Sequence, residues 1–103
     1  MPGKPRFYLP GMPVHVFQRG HNKEPVFIDD EDYLVYLRFL KESEEGCGCL
    51  VHAYVLMTNH VHLLVTPETS KVISAMFQGI GRHFVAYMNK AYQRRGSLWE
   101  GRH

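Results

Sequence analysis

The first clear pattern in the chain is a broad alternation of apolar and polar side chains over residues 14–20. This alternation is typical of a half-buried strand, and Gly20 suits its end. The thirteen residues before it hold four of the six prolines, which predicts an extended arm. After the strand, residues 21–25 have the composition of a loop, and residues 26–28 predict a short extended piece.

Helical spacing of apolar residues predicts two helices. The first runs from about residue 30 to residue 45, with Tyr33, Leu37 and Leu40 on one face and Gly46 as its stop. Acidic residues at its start favour a helix N-terminus, and its other acidic side chains are expected to be solvated. The second runs from residue 70 to about residue 93, and its apolar face carries Ile73, Phe77, Ile80, Phe84, Met88 and Ala91. The opposite face carries Lys71, Gln78, Arg82, Asn89 and Gln93.

Two apolar segments lie between the predicted helices, at residues 49–57 and 61–66. The three residues between them, 58–60, suit a tight connection, so the segments predict an antiparallel pair of strands at the centre of the fold. The order strand, helix, two strands, helix predicts an α+β fold of the split β-α-β kind, in which helices cover an antiparallel sheet.

The length of 103 residues fits one small domain, which we take to be residues 1–103. The chain has no apolar run of the roughly 18 residues that a membrane span needs, and its first residues lack the apolar stretch of a secretory signal. We therefore expect a cytoplasmic protein. Cys47 and Cys49 fit reduced thiols there; a metal pair is the alternative, with little support from one C-x-C motif.

Charge is unevenly distributed along the chain, although the net charge is only +2. Residues 1–69 hold six basic and nine acidic side chains, a net of −3, whereas residues 70–103 hold six basic and one acidic side chain, a net of +5. The basic block is either an ordinary solvated helix face or a surface that binds phosphate groups.

The second central segment carries two histidines, His60 and His62, separated by one residue. Strand side chains alternate between faces, so both imidazoles are expected on one face, with Val61 directed into the core. Such a pair is either structural or able to share one cation. Two ligands are too few for a complete site, and a catalytic site would need a third ligand and an open position.

Three motifs together resemble one known family. Residues 54–65, Tyr-Val-Leu-Met-Thr-Asn-His-Val-His-Leu-Leu-Val, resemble the histidine-hydrophobic-histidine strand of the IS200-type single-tyrosine HUH transposases and their REP-associated relatives. Residues 14–22 resemble that family's first strand and turn, and residues 82–102 resemble its long helix and the segment after it. The resemblance covers essentially the whole chain.

The resemblance implies a ferredoxin-like domain that binds single-stranded or hairpin DNA, cuts it and rejoins it. In that family a divalent cation, Mg²⁺ or Mn²⁺, is held by the histidines that correspond to His60 and His62 and polarises the scissile phosphate. A tyrosine attacks phosphorus and leaves a 5′-phosphotyrosine, so rejoining needs no nucleotide. The family also forms homodimers that exchange a last helix, so a homodimer is an expectation here.

The chain departs from the family pattern in one main respect. The nucleophilic tyrosine and a third metal ligand of the family lie on a helix beyond the segment that resembles residues 98–102, and this sequence stops at His103. We therefore expect a C-terminally truncated domain without its catalytic helix. Tyr87 is expected near the apolar face of the second helix, and Tyr92 corresponds to a position that is not the nucleophile in the family. Thr58 is a smaller departure, since proline or serine is commoner there.

The resemblance favours the interpretation of the basic region as a surface that binds DNA. Seven residues are expected to contact phosphates or bases: Arg19, Asn22, Arg82, Asn89, Arg94, Arg95 and Trp99. Trp99 is either a stacking surface for a base or part of the core. Two alternatives to the transposase remain open, namely a DNA-binding module without cleavage and a small hydrolase in which the histidine pair activates water.

Overall fold

Residues 11–69 and 71–99 are described by a computed structural model, with the exception of the Cys47 side chain. Most of the predicted N-terminal arm therefore lies outside the described residues. Its last part is anchored by a hydrogen bond in which the amide of Gly11 donates to the carbonyl oxygen of Pro67 at 2.9 Å.

Three strands form an antiparallel sheet: β1 (Val14–Arg19), β2 (Cys49–Met57) and β3 (His60–Pro67). Their order in the sheet is β1-β3-β2, so the strand that carries the histidine pair is central, as predicted. Residues 58 and 59 alone connect β2 to β3. Because β1 pairs with β3 on its other side, residues far apart in sequence, such as Phe17 and His62, lie opposite each other.

Two helices complete the fold, α1 (Asp30–Cys47) and α2 (Val72–Tyr92). The prediction that α1 stops at Gly46 is wrong. Gly48 ends the helix with a φ of 70°, the left-handed conformation that glycine adopts readily at helix C-termini. Residues 26–28 are not a strand, but Val26 and Phe27 are buried, and both amides donate to the carbonyl oxygen of Thr58.

The core lies between the helices and one face of the sheet. On β3, Val61, Leu63 and Val65 are completely buried, and α2 contributes Ile73, Met76, Phe77, Ile80, Phe84 and Met88. Two details of the predicted α2 face are wrong, since Met76 is buried and Ala91 is exposed. The α+β prediction with helices on one face of an antiparallel sheet is confirmed.

Helix α1 packs through a face shifted from the predicted one. Its buried side chains are Asp32, Val35, Tyr36 and Leu40, whereas Tyr33 and Leu37 are half-buried. The shift brings an acidic residue into the core, against the expectation that the acidic side of this helix is solvated. No helix in residues 11–69 and 71–99 is long and apolar enough to cross a membrane.

Gly79 occupies the interior of α2 without a steric reason. A Cβ atom there would meet nothing within 4 Å. We expect Gly79→Ala to raise the free energy of unfolding by up to about 1 kcal/mol, because alanine loses less backbone entropy in a helix. Urea unfolding measures the change. Gly48→Ala is the contrasting variant and should destabilise, because its φ is positive and its Cβ would meet Glu68 at 2.9 Å. A destabilised Gly79→Ala would contradict the expectation.

Candidate functional site

His60 and His62 lie on the uncovered face of the central strand. Val61 between them is completely buried on the opposite face, as the alternation of a strand requires. The two ring centroids are 4.9 Å apart and the rings are nearly perpendicular, at 83°. The prediction that both imidazoles share one face of a central strand is therefore confirmed, and both are half-buried.

A third histidine, His15 on β1, joins this pair. Its Nε2 lies 3.0 Å from Nδ1 of His62, and the two rings stack with centroids 5.1 Å apart and an angle of 16°. Sequence reasoning missed His15 as a site residue. The only signal was its position among apolar residues on a predicted strand, and that signal does not reveal which strand pairs with which.

Phe17 and Arg19 border the histidines on the same strand as His15. The ring of Phe17 lies 5.7 Å from that of His60 and 5.1 Å from that of His62, between centroids. The Cζ atom of Arg19 is 6.0 Å from the centroid of Phe17, at the limit of a cation–π contact. Arg19 thus supplies a positive charge next to the histidine face.

Asn59 determines how the ring of His60 is held. Its Oδ1 lies 2.7 Å from Nδ1 of His60, and its Nδ2 donates to the carbonyl oxygen of Lys23 at 3.2 Å. Its own carbonyl oxygen accepts a hydrogen bond from the amide of Gly20 at 2.8 Å. The turn between β2 and β3 is thus bound to the loop after β1, and His60 is bound to that turn.

The surroundings of His62 favour its neutral form. Burial lowers the pKa of His62, and the positive charge that His60 and His15 carry when protonated lowers it further. A neutral imidazole retains a nitrogen lone pair at physiological pH, and that lone pair is what a metal ion needs.

The donor set fits a divalent cation, but only in part. His60 and His62 each engage a protein neighbour through Nδ1, which leaves both Nε2 atoms as candidate ligands. Metal-binding histidines are typically held in this way by a second group. Within the part of the chain that the structure describes, no three His, Cys, Asp or Glu side chains are arranged to hold a metal ion. The pair therefore amounts to two ligands of an incomplete site.

Tyr87 and Tyr92 of α2 are directed to the carboxylate of Asp32 on α1. Their hydroxyl groups donate to it at 2.8 and 2.6 Å, and the amides of Ile28 and Asp29 donate to it at 2.9 Å each. The hydrogen bond to Asp32 raises the pKa of Tyr87 to about 12 and also raises the pKa of Tyr92. Both phenols are thus harder to deprotonate than a free tyrosine, which makes them poor nucleophiles.

The remaining described tyrosines also lie away from the histidine face. Tyr36 is completely buried, and Tyr33 stacks on Phe27, which is buried in the same core. Tyr54 is paired with Leu63, whose side chain is on the helix-covered face of β3. Among residues 11–69 and 71–99, no tyrosine therefore shares the open sheet face with His60 and His62.

The predicted DNA contacts fall on two surfaces. Arg82 is exposed on α2, opposite the buried side chains, so it is directed away from the sheet and from the histidines. Arg94 continues this surface, because its Nη1 donates to Oδ1 of Asn89 at 3.1 Å, and Asn89 also donates to the carbonyl oxygen of Gly96. Arg95 is exposed next to it.

Asn22 lies instead in the loop that follows β1. It has a φ of 55°, a left-handed conformation in which asparagine is more readily found than most residues. The neighbouring amide of His21 donates to the carbonyl oxygen of Leu98 at 2.9 Å. The loop after β1 and the segment after α2 are therefore in contact at one end of the strands, where β1 ends and His60 begins β3.

Trp99 is in the core and offers no stacking surface in this conformation. Only 7% of its surface is exposed, and its ring lies near Tyr36 and Phe84. Its Nε1 has no hydrogen-bond partner among the residues that the structure describes. The interpretation of Trp99 as a base-stacking residue is thus replaced by the alternative of a core residue. Cys49 is likewise a buried core thiol, and the Cys47 side chain lies outside the described residues.

Comparisons with known proteins agree with this fold. The family model described as "Transposase IS200 like" matches residues 9–103. Among solved structures, a REP-associated tyrosine transposase bound to a REP hairpin matches with a TM-score of 0.71 and 17% identity. The match covers 99% of this chain and 59% of that one, so this chain spans about three-fifths of its length. No curated protein gives a significant match. The chain belongs to the family of IS200-like transposases.

Proposed function

We propose that this chain binds single-stranded or hairpin DNA and carries the metal-binding half of a nuclease site that cuts and rejoins one strand. The observation that carries the proposal is the pair of neighbouring imidazoles on an open sheet face, each held through Nδ1 with Nε2 left over. We further propose that residues 1–103 are one domain that acts in the cytoplasm, and a homodimer stays a prediction.

His60 and His62 would hold a divalent cation, Mg²⁺ or Mn²⁺, through Nε2. When bound, such a cation offsets the negative charge that grows on the oxygens of the scissile phosphate. The chain's own residues supply the rest of the electrostatics. Arg19 lies beside the histidines and would attract the phosphate backbone, and the neutral state of His62 would keep its lone pair available.

The attacking group would come from outside residues 11–69 and 71–99. Support for this comes from the described tyrosines, which are buried in the core, hydrogen-bonded to Asp32 or located on the other side of the sheet. As the resemblance implies, a tyrosine beyond residue 103 would attack phosphorus, form the 5′-phosphotyrosine and release a 3′-hydroxyl. The bond energy kept in that adduct would allow rejoining.

The positions of the described tyrosines also support a second candidate function, a DNA-binding module without cleavage. Recognition of a hairpin needs the basic surfaces but neither the histidine pair nor a nucleophile. The two candidates differ in the role of His60 and His62. In a nuclease, substitution of either histidine would abolish strand cleavage. In a pure binding module, the same substitution would leave hairpin affinity unchanged. A hydrolase that activates water at the histidines has less support, because residues 11–69 and 71–99 contain no group of three side chains that could hold its metal ion.

DNA binding should depend on the arginines of the α2 surface. We expect the double variant Arg82→Glu and Arg94→Glu to weaken binding of a DNA hairpin at least about tenfold. The slope of log K against log salt should become less negative by about 1 to 2, because fewer phosphate contacts mean that binding releases fewer counterions. Fluorescence anisotropy over a salt series measures both quantities, with blunt duplex DNA as the weaker-binding competitor.

Arg38→Glu is the matched control, since Arg38 is an exposed arginine on α1 rather than on α2. Its charge change equals that of Arg82→Glu alone, and it should alter affinity much less than that single variant. Equal effects of Arg38→Glu and of Arg82→Glu alone would indicate a response to net charge alone. Unchanged affinity in the double variant would remove the α2 surface from the proposed interface.

A further inference from the structure

Both histidines of the candidate metal site contact a neighbour through Nδ1, so that Nε2 is the nitrogen that would hold a cation. For His60 the neighbour is the side chain of Asn59, at 2.7 Å from Nδ1. For His62 it is Nε2 of His15, at 3.0 Å from Nδ1. A neutral imidazole carries one proton, so these contacts bear on which nitrogen of each ring retains a lone pair.

The direction of the hydrogen bond to His60 follows from the chemistry of the amide. The Nδ2 group of Asn59 donates to the carbonyl oxygen of Lys23, which can only accept. The other end of the amide, Oδ1, must then face His60, and an amide oxygen also can only accept. The proton of His60 is therefore on Nδ1, and Nε2 retains its lone pair.

The backbone around Asn59 is built to hold this amide in place. The amide of Gly20 donates to the carbonyl oxygen of Asn59, and a Cβ atom at Gly20 would collide with the carbonyl oxygen of Glu24 and with Val26. Only glycine allows such a close approach of the loop after β1. The carbonyl oxygen of Lys23 is thereby positioned in front of Asn59.

His15 can hold His62 in the same way, but the direction of this hydrogen bond is not fixed by chemistry alone. Its Nε2 can accept a proton from Nδ1 of His62 or donate one to it. In the first case Nε2 of His62 has a lone pair, as in His60, and in the second case it presents an N–H group. Only the first arrangement leaves a lone pair on Nε2 of both histidines.

We propose that Asn59 and His15 are positioning residues that hold the protons of His60 and His62 on Nδ1, so that both Nε2 lone pairs are ready for a divalent cation. The inference rests on the proposed function, because the choice of tautomer matters only if the histidines bind a metal ion. It assigns roles to two side chains that would not touch the metal or the DNA themselves.

The direct test is the ¹⁵N NMR spectrum of the histidine rings in the metal-free chain, at a pH well above the ordinary imidazole pKa of about 6.5. Protonated and lone-pair ring nitrogens resonate in separate regions, so the spectrum reports the tautomer. We expect the Nδ1–H form for His60 and His62. Asn59→Ala should shift His60 towards the Nε2–H form, which free histidine favours, whereas Asn59→Asp keeps the accepting oxygen and should keep the Nδ1–H form.

His15 is tested with the same logic. His15→Ala should release His62 to the Nε2–H form, and His15→Gln, which retains an accepting oxygen at a similar reach, should preserve Nδ1–H. His52→Ala is the matched control, because His52 is an exposed histidine of the same sheet that bonds to Thr66 instead. That control should leave both site histidines unchanged, and unchanged backbone amide spectra identify the variants that fold.

Mn²⁺ affinity, measured by relaxation of solvent protons, is the second readout. Loss of a residue that hydrogen-bonds to a metal ligand typically weakens metal binding by about 10- to 100-fold, which we expect for Asn59→Ala and His15→Ala but not for the Asp and Gln variants. An Nε2–H form in the unmodified chain, or tautomers that do not respond to either Ala variant, would overturn the inference. Tautomers that respond as stated in a chain that binds no Mn²⁺ would support the positioning roles and contradict the proposed metal-assisted function instead.

Discussion

Asp32→Ala is expected to lower the free energy of unfolding by about 3 kcal/mol, a large share of the stability of so small a protein. The carboxylate of Asp32 is 1% exposed and accepts hydrogen bonds from two phenols and two backbone amides. An alanine would leave these donors without an acceptor beside the core. Urea unfolding followed by circular dichroism measures the loss.

The same carboxylate gives stability a specific dependence on pH. Burial by itself raises the pKa of Asp32, but the hydrogen bonds from Tyr92, the backbone amides and Tyr87 more than offset this, so the pKa is held below 3.8. A lowered pKa in the folded state means that the stabilisation is complete above the unfolded value and is lost as pH falls through the lower folded value. Asp32→Ala should therefore flatten the acid limb of the stability curve below about pH 4.

Asp30→Ala is the matched control for this prediction. Asp30 begins the same helix, but its side chain is exposed, so its loss removes only a favourable charge near the helix N-terminus, worth less than about 1 kcal/mol. Tyr87→Phe should cost about 1 kcal/mol, since it removes a single hydrogen bond to the carboxylate. Similar losses for Asp32→Ala and Asp30→Ala would contradict the central role of the buried carboxylate.

The second large effect concerns covalent chemistry. Residues 1–103 incubated with labelled hairpin DNA and Mn²⁺ should yield no protein–DNA species that resists denaturation, whereas a form extended beyond His103 by a tyrosine-bearing helix should yield one. The histidine pair can stabilise charge on a phosphate, but an adduct also needs a positioned nucleophile. In the extended form, His62→Ala should lower the rate at least about a hundredfold, the equivalent of about 2.7 kcal/mol or more of lost charge stabilisation.

Two variants make this prediction specific. Tyr87→Phe and Tyr92→Phe should leave adduct formation by the extended form intact at temperatures where the variants remain folded, because both phenols face Asp32 rather than the histidines. An adduct formed by residues 1–103 and lost in either variant would identify the nucleophile on α2. An extended form that binds hairpins without ever forming an adduct would favour the DNA-binding module.

The local elements of the fold could be predicted because their patterns are local. A repeat of two predicted β3 and the shared face of His60 and His62, and a repeat near 3.6 predicted most of the α2 core. The prediction was wrong where two nearby residues both suit the same structural position. Gly46 and Gly48 both suit a helix end, and only the left-handed backbone at Gly48 decides between them.

The family, too, could be recognised from the sequence, because three motifs occur in a fixed order and the family model matches residues 9–103. The surroundings of the site could not. His15 meets His62 across 47 positions of sequence, and Asn59 meets the carbonyl oxygen of Lys23 across 36. Such contacts depend on which strands pair and in what register, and neither is encoded in a short stretch of sequence.

The sequence by itself thus determined the order of strands and helices, the central histidine pair and the family, since each follows from short-range periodicity or contiguous motifs. Only the tertiary structure decided that Asp32 is buried beneath two tyrosines, that Trp99 belongs to the core and that Arg82 is directed away from the histidines. The physical reason is that burial and hydrogen-bond partners are set by the packing of α1 and α2 against the sheet, where residues distant in sequence exclude water from one another.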